Sequence, residues 1–152
     1  MNWIIKPSPI VSCPVLEQSL TFPVRNIYCV GRNYREHAVE MGSNPDREPP
    51  FFFQKTSEVL LLPGNNLEYP DDTNELHHEV EIVVAISKNG YKIDTAEIND
   101  MIFGYAVGVD LTKRDIQRKA KESGKPWLSG KVFAGSAAIS KIVLRDESTD
   151  SD

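Results

Sequence analysis

Apolar and polar positions along the chain fall mostly into short alternating runs, the period-two signature of strands, broken by turns that contain Pro and Gly. Residues 2–6 and 26–30 read as short strands, separated by a stretch that holds Pro7, Pro9 and Pro14. Residues 51–53 and 59–62 read the same way, and Pro63-Gly64-Asn65 supplies a turn after the second. The longest strand pattern covers 77–87, which Asn89-Gly90 would close as a hairpin. Residues 102–110 predict a strand bearing Val and Tyr, and 138–144 a last one, followed by a polar, acidic tail at 146–152. Helical signals are confined to short pieces. Residues 34–41 predict one helix, stopped by Gly42. Asp94 can cap a short helix with Glu97 three residues on. Thr112 is placed to cap another that runs to about Ser123, with Asp115 in its first turn and Gly124 at its end. The pattern is that of one domain spanning 1–152, α+β in class and mainly β.

Composition narrows the function classes. The 152 residues are 40% hydrophobic and 26% charged, enough to bury a core as one soluble domain. A net charge of -5 argues against a nucleic-acid binder, which needs a basic surface. No apolar run approaches the roughly 20 residues of a membrane helix. Residues 1–9 lack the apolar core and small-residue cleavage site of a signal peptide and are poor in Arg for a transit peptide, so a cytoplasmic location is expected. Cys13 and Cys29 form neither a CxxC pair nor a disulfide framework, and Cys29 reads as an inert thiol in a strand.

Three carboxylates carry the first chemical signal. Glu79 and Glu81 sit two apart in a strand and so share one face, with Val80 and Ile82 on the other. Two acids side by side repel each other and are costly to desolvate without a cation, although an edge strand with one solvated face gives the same pattern. Asp110 closes the apolar run Gly104-Tyr105-Ala106-Val107-Gly108-Val109, where a carboxylate must cap, pair or bind something. An all-oxygen set favours a hard cation such as Mg²⁺ or Mn²⁺. His77 shares the face of Glu79 and Glu81, so a histidine with two carboxylates, holding Zn²⁺ or Fe²⁺, is a second solution. Its neighbour His78 is expected to point toward the apolar layer.

A second signal lies in the helix at 34–41. His37 and Glu40 are three apart and lie on one helix face, where a carboxylate can orient an imidazole acting as a base toward water. A surface pair of this spacing is common and contributes only about 0.3 kcal/mol. The turn Gly31-Arg32-Asn33-Tyr34 just before it could expose Arg32 and Asn33 in a cleft. Lys131, flanked by apolar residues in Gly130-Lys131-Val132-Phe133, could place a positive charge in a pocket, and Lys55 is a further candidate for an anionic group. Lys113, Arg114, Arg118, Lys119 and Lys121 read as the solvated face of their helix. Nucleophile-elbow, HExxH, Walker and dinucleotide motifs are absent from the sequence.

Taken in order, these blocks resemble the catalytic domain of the fumarylacetoacetate hydrolase family. The resemblance runs through Gly31-Arg32-Asn33-Tyr34 with His37 and Glu40, Phe53-Gln54-Lys55-Thr56, His78-Glu79-Val80-Glu81, Asp110-Leu111-Thr112-Lys113-Arg114-Asp115, and Gly124-Lys125-Pro126-Trp127 with Lys131. It covers roughly 26–140 and is most similar to the acylpyruvate hydrolase and oxaloacetate decarboxylase branch. The resemblance implies a mixed β-sandwich or roll, usually dimeric, acting on a small oxo-acid. It implies Mg²⁺ or Mn²⁺ on Glu79, Glu81 and Asp110, a water-activating pair in His37 and Glu40, and a pocket lysine in Lys131. The metal would chelate the 2-oxo acid and stabilise the enolate left when a carbon–carbon bond breaks, in acylpyruvate hydrolysis or oxaloacetate decarboxylation. Ala134 departs from the acid or Thr of many relatives. The family's domain also continues past the point matching Asp152, with strands and a Gly-Thr-Pro loop, so an incomplete domain is expected. The alternative is a relative that binds metal or a partner without turnover.

Overall fold

The computed structural model describes residues 3–31 and 51–146. The expected helix at 34–41, with Arg32, Asn33, His37 and Glu40, and the end of the acidic tail lie outside the described residues. β1 (Ser12–Pro14) pairs antiparallel with β2 (Thr21–Pro23), and β3 (Asn26–Gly31) with β4 (Phe51–Thr56). The main sheet is built on β6 (Leu76–Ile86) and β7 (Ile102–Lys113), antiparallel along nearly their whole length. The far edge of β7 is shared by two short strands, β8 (Ala137–Ile139) and β9 (Val143–Leu144), and β5 (Leu60–Leu61) adds to β8 in parallel. Helix α1 (Arg114–Glu122) follows β7 directly, and the single turn α2 (Leu128–Lys131) packs against α1 and β7. The result is α+β and mainly β, as its pattern predicts.

Several boundaries differ from expectation for identifiable reasons. No strand forms over residues 3–11; this Pro-containing stretch is largely exposed and finds no sheet edge. Asn89-Gly90 does not close a tight hairpin. Residues 87–101 instead form a longer connection with two single 3-10 turns, one of them capped by Asp94 accepting from the Ala96 amide at 3.1 Å. Strand β7 runs three residues past Asp110, so Thr112 lies in the strand and does not cap α1. The last strand pattern is broken into β8 and β9. Gly124 ends α1 as expected, at φ 61°, with its amide on the Lys121 carbonyl and the Lys125 amide on that of Ala120.

The core gathers Cys13, Val15, Ala85, Ala106 and Ile142, with Phe22, Leu60, Val83 and Phe103 packed around them. It lies on the face of the sheet that carries Ala85 and Val83, and Glu79 and Glu81 continue the same face toward the other end of β6. The opposite face is apolar and open to solvent, with Val80 64% and Ile82 69% exposed. His78 is likewise exposed, with no layer over it among the described residues.

Candidate functional site

Register brings the site together. Glu79 stands directly opposite Asp110 across β6 and β7, and Glu81 stands opposite Gly108. Both pairs project to the same face as the core, two residues apart. Three elements, β4, α1 and α2, then deliver cations to Glu79 and Asp110. Gly130 lies so close to α1 that a Cβ there would come within 3.0 Å of the Gln117 backbone nitrogen, which seats α2 against α1. Trp127, just ahead of α2, packs edge-on against Phe51 with ring centres 5.0 Å apart, tying the turn to β4. Lys131, at the end of α2, therefore reaches the sheet face and is 3% exposed.

The Lys131 ammonium donates at 2.7 Å to each of Glu79 Oε2, Asp110 Oδ2 and Thr112 Oγ1, so all three of its protons are used. It also lies 5.1 Å from the centre of the Phe53 ring. Lys55, which β4 directs inward, is 1% exposed. Its ammonium donates to the Ser136 carbonyl at 2.7 Å and the Leu111 carbonyl at 3.2 Å, and lies 2.8 Å from Asp110 Oδ1. Arg114 completes the ring of charge: it pairs with Glu79 Oε1, donates to Gln117 Oε1 at 2.5 Å, and donates through Nε to His77 Nδ1 at 3.3 Å.

The electrostatics follow from this crowding. Burial pushes the Glu79 carboxyl up, but Lys131 and then Arg114 outweigh it and hold it below the usual glutamate range. Burial lowers Lys55 from the ordinary lysine value, and the neighbouring Asp110 only partly restores it. Burial first, and Asp110 second, push the Cys29 thiol up to about 11, which makes it the inert strand thiol expected.

Glu79, Asp110, Lys131 and Lys55 are thus brought into one cluster. Glu81 lies on the same face one step along the strand. His77 is exposed and engaged by Arg114. Among the described residues, no three His, Cys, Asp or Glu side chains are gathered closely enough to ligate one ion. The donor chemistry nonetheless suits a hard cation. Two carboxylates already surround one positive charge, and the Asp110 oxygen turned away from Lys131 is paired with a second, Lys55.

Two participants were not legible in advance. Arg114 reads as a solvated helix residue and Thr112 as a cap, yet both touch the cluster. Their signal is the Asp110-x-Thr112-x-Arg114 spacing: in a continuing strand it puts Asp110 and Thr112 on one face, with Arg114 at the first turn of the helix. Lys113 also departs from the solvated face; it is buried against Phe133, 4.6 Å from the ring centre, and pairs with Asp72.

Residues 26–152 match the family model described as fumarylacetoacetate (FAA) hydrolase C-terminal. The chain belongs to the fumarylacetoacetate hydrolase family. It is 42% identical over 113 residues to a mitochondrial oxaloacetate tautomerase of Caenorhabditis elegans, covering 74% of this chain and 52% of that protein. It is 38% identical to a mitochondrial oxaloacetate decarboxylase of Dictyostelium discoideum, covering 83% of this chain and 58% of that one. Among solved structures, a Pseudomonas aeruginosa fumarylpyruvate hydrolase in complex with Mn²⁺ and pyruvate superposes with a TM-score of 0.88 at 44% identity, covering 94% of this chain and 63% of that chain. This family member therefore spans a little over half the length of these curated relatives. No helix among its described residues is long and apolar enough to cross a membrane.

Proposed function

We propose that this family member takes part in metal-dependent cleavage of a carbon–carbon bond in small 2-oxo or 2,4-dioxo acids, by acylpyruvate hydrolysis or oxaloacetate decarboxylation. The observation that carries the reading is the pairing of Glu79 and Asp110 around a buried positive charge, with Glu81 one step along the same face. Glu79, Glu81 and Asp110 would hold Mg²⁺ or Mn²⁺, with Arg114 orienting Glu79 and Lys55 orienting Asp110. Bound there, the cation supplies Lewis-acid polarisation of the 2-oxo group and offsets charge that develops in the reaction.

The remaining roles fall to this chain's own groups. In an acylpyruvate, His37, oriented by Glu40, takes a proton from a water that attacks the distal carbonyl. The carbon–carbon bond then breaks toward the pyruvate side, whose enolate takes up a proton. In oxaloacetate, loss of CO₂ leaves the same enolate with no water required. Arg32 and Asn33 would contact the substrate, and Lys131 supplies positive charge beside it. We also infer a homodimer, a reading that the exposed apolar face of β6 and β7 supports.

A second reading is keto–enol tautomerisation of oxaloacetate, favoured by the name of the worm relative, in which a proton moves between carbon and oxygen and no carbon–carbon bond breaks. Assays of the chain with acylpyruvates and with the keto and enol forms of oxaloacetate, each with added Mg²⁺ or Mn²⁺, separate these reactions. His37→Ala is expected to abolish acylpyruvate hydrolysis, spare metal binding and reduce decarboxylation less. Equal loss of both activities would remove His37 from the water-activating role. Metal binding without turnover of any of these acids would favour a relative that binds without catalysis.

A further inference from the structure

We infer that Lys131 is the resident counter-cation of the metal-free centre, and that a divalent ion enters by displacing its ammonium from Glu79 and Asp110. The inference rests on the reading of these two carboxylates as metal ligands given above. Its own basis is the arrangement of charge. Three side-chain cations, Lys55, Lys131 and Arg114, surround Glu79 and Asp110, and Glu81 adds one further carboxylate on the same face. Adding a divalent ion to a cluster in which these charges already cancel leaves an excess of two, so either one cation withdraws or the ion is repelled at a separation of a few ångströms.

The geometry singles out Lys131 as the one to leave. Lys55 is held by two backbone carbonyls of its surroundings as well as by Asp110, and it is the most deeply buried of the three. Arg114 is anchored to Gln117 and His77 besides Glu79. Lys131 also donates to Thr112, but of the three it alone bridges Glu79 and Asp110 with the same ammonium, so it occupies the position between the facing oxygens that a shared ion requires. It also has somewhere to stay: the Phe53 ring is 5.1 Å away and can retain a cation at its face after the carboxylates are released. Displacement would free the ammonium for an anionic oxo-acid, so that metal and substrate would bind cooperatively, metal first.

The test compares Mn²⁺ binding, by calorimetry and by electron paramagnetic resonance, in the wild-type chain, Lys131→Met and Glu79→Gln. Removing a unit charge a few ångströms from the ion is expected to tighten Mn²⁺ binding by about tenfold or more in Lys131→Met. Glu79→Gln is expected to weaken it. Equal or weaker binding by Lys131→Met, with normal binding by the wild type, overturns the displacement and leaves the metal reading standing. Absence of binding in the wild type and in Lys131→Met alike overturns both. Because Lys131→Met strips two buried carboxylates of a partner and can impair folding, the wild-type chain is also followed by nitrogen-detected NMR of its lysine ammonium groups with diamagnetic Mg²⁺. A protected Lys131 signal that shifts and loses protection on saturation supports displacement. A signal unchanged at saturation overturns it.

Discussion

Arg114 bridges Glu79 and Gln117 and leans on His77, so a residue that reads as part of a solvated helix face instead fixes one oxygen of a carboxylate in the site. Its neighbour Asp115 does a different task with the same kind of polarity. It accepts from the Thr73 hydroxyl at 2.5 Å, the Asn74 amide at 3.2 Å and the Ile116 amide at 2.9 Å, fastening the approach to β6 onto the first turn of α1. The Thr73 hydrogen bond chiefly, against a smaller effect of burial, holds the Asp115 carboxyl below its ordinary value of 3.8. A depressed folded value means that this contribution to stability is present in full above the unfolded value and is lost as pH falls through the folded one. Wild type is therefore expected to be more stable to urea than Asp115→Asn at neutral pH, with the gap closing as pH drops below 3.8. A gap that stays constant into strong acid would show that the charge on Asp115 is not what stabilises the fold.

Strand β7 holds the molecule together because small residues line its inner face. Gly104, Ala106 and Gly108 alternate with larger residues, and the first lets β9 approach so closely that a Cβ at Gly104 would fall 2.2 Å from the Val143 carbonyl oxygen. Gly104→Ala must therefore push β9 away, since the obstructing atom is backbone. The expected cost is about 1–3 kcal/mol in urea melts, as for overpacked sites generally. Amide exchange at Arg145, which donates to the Phe103 carbonyl at 3.2 Å, should quicken in the same variant. Unchanged exchange there would mean that β9 accommodates the methyl group without separating. The same strand explains the fate of Thr112. Pairing with β6 continues to Lys113, opposite Leu76, so the ladder overrides a cap signal that local sequence favours.

At the Glu79 end of the β6–β7 pair the two faces exchange their usual characters, while Val83, Ala85 and Ala106 keep the rest of the inner face apolar. Carboxylates and lysines are drawn inward, while Val80, Ile82, Val84 and Val107 face solvent. Ile142 at the chain's last strands is buried to 2% exposure in the core, but Leu144 remains 42% exposed. A contiguous apolar sheet face of this kind is an association surface. The chain is expected to self-associate in sedimentation equilibrium, and Val80→Lys with Ile82→Lys to shift it toward monomer at equal concentration. Both side chains point away from Glu79 and Glu81, so Mn²⁺ affinity should not change. A monomeric wild type would remove this face as the contact and leave its apolar character unexplained by association.

Local pattern by itself determined which stretches become the main strands, that Glu79 and Glu81 share a face, and that Gly124 ends a helix. These depend on the two-residue and 3.6-residue periods and on glycine's freedom at positive φ, all properties of neighbouring residues. The ordered motif blocks were specific enough to identify the family, because several residue types at set spacings rarely recur together by chance. What tertiary structure alone decided was register and enclosure. Only the β6–β7 alignment sets Glu79 against Asp110, and only the seating of α2 on α1 carries Lys131 onto both. Lys55 and Arg114 become partners of buried carboxylates by the same means, though each is an ordinary charged residue along the chain. A charge's surroundings are set by residues distant in sequence, and it is those surroundings that decide whether it meets water or another charge.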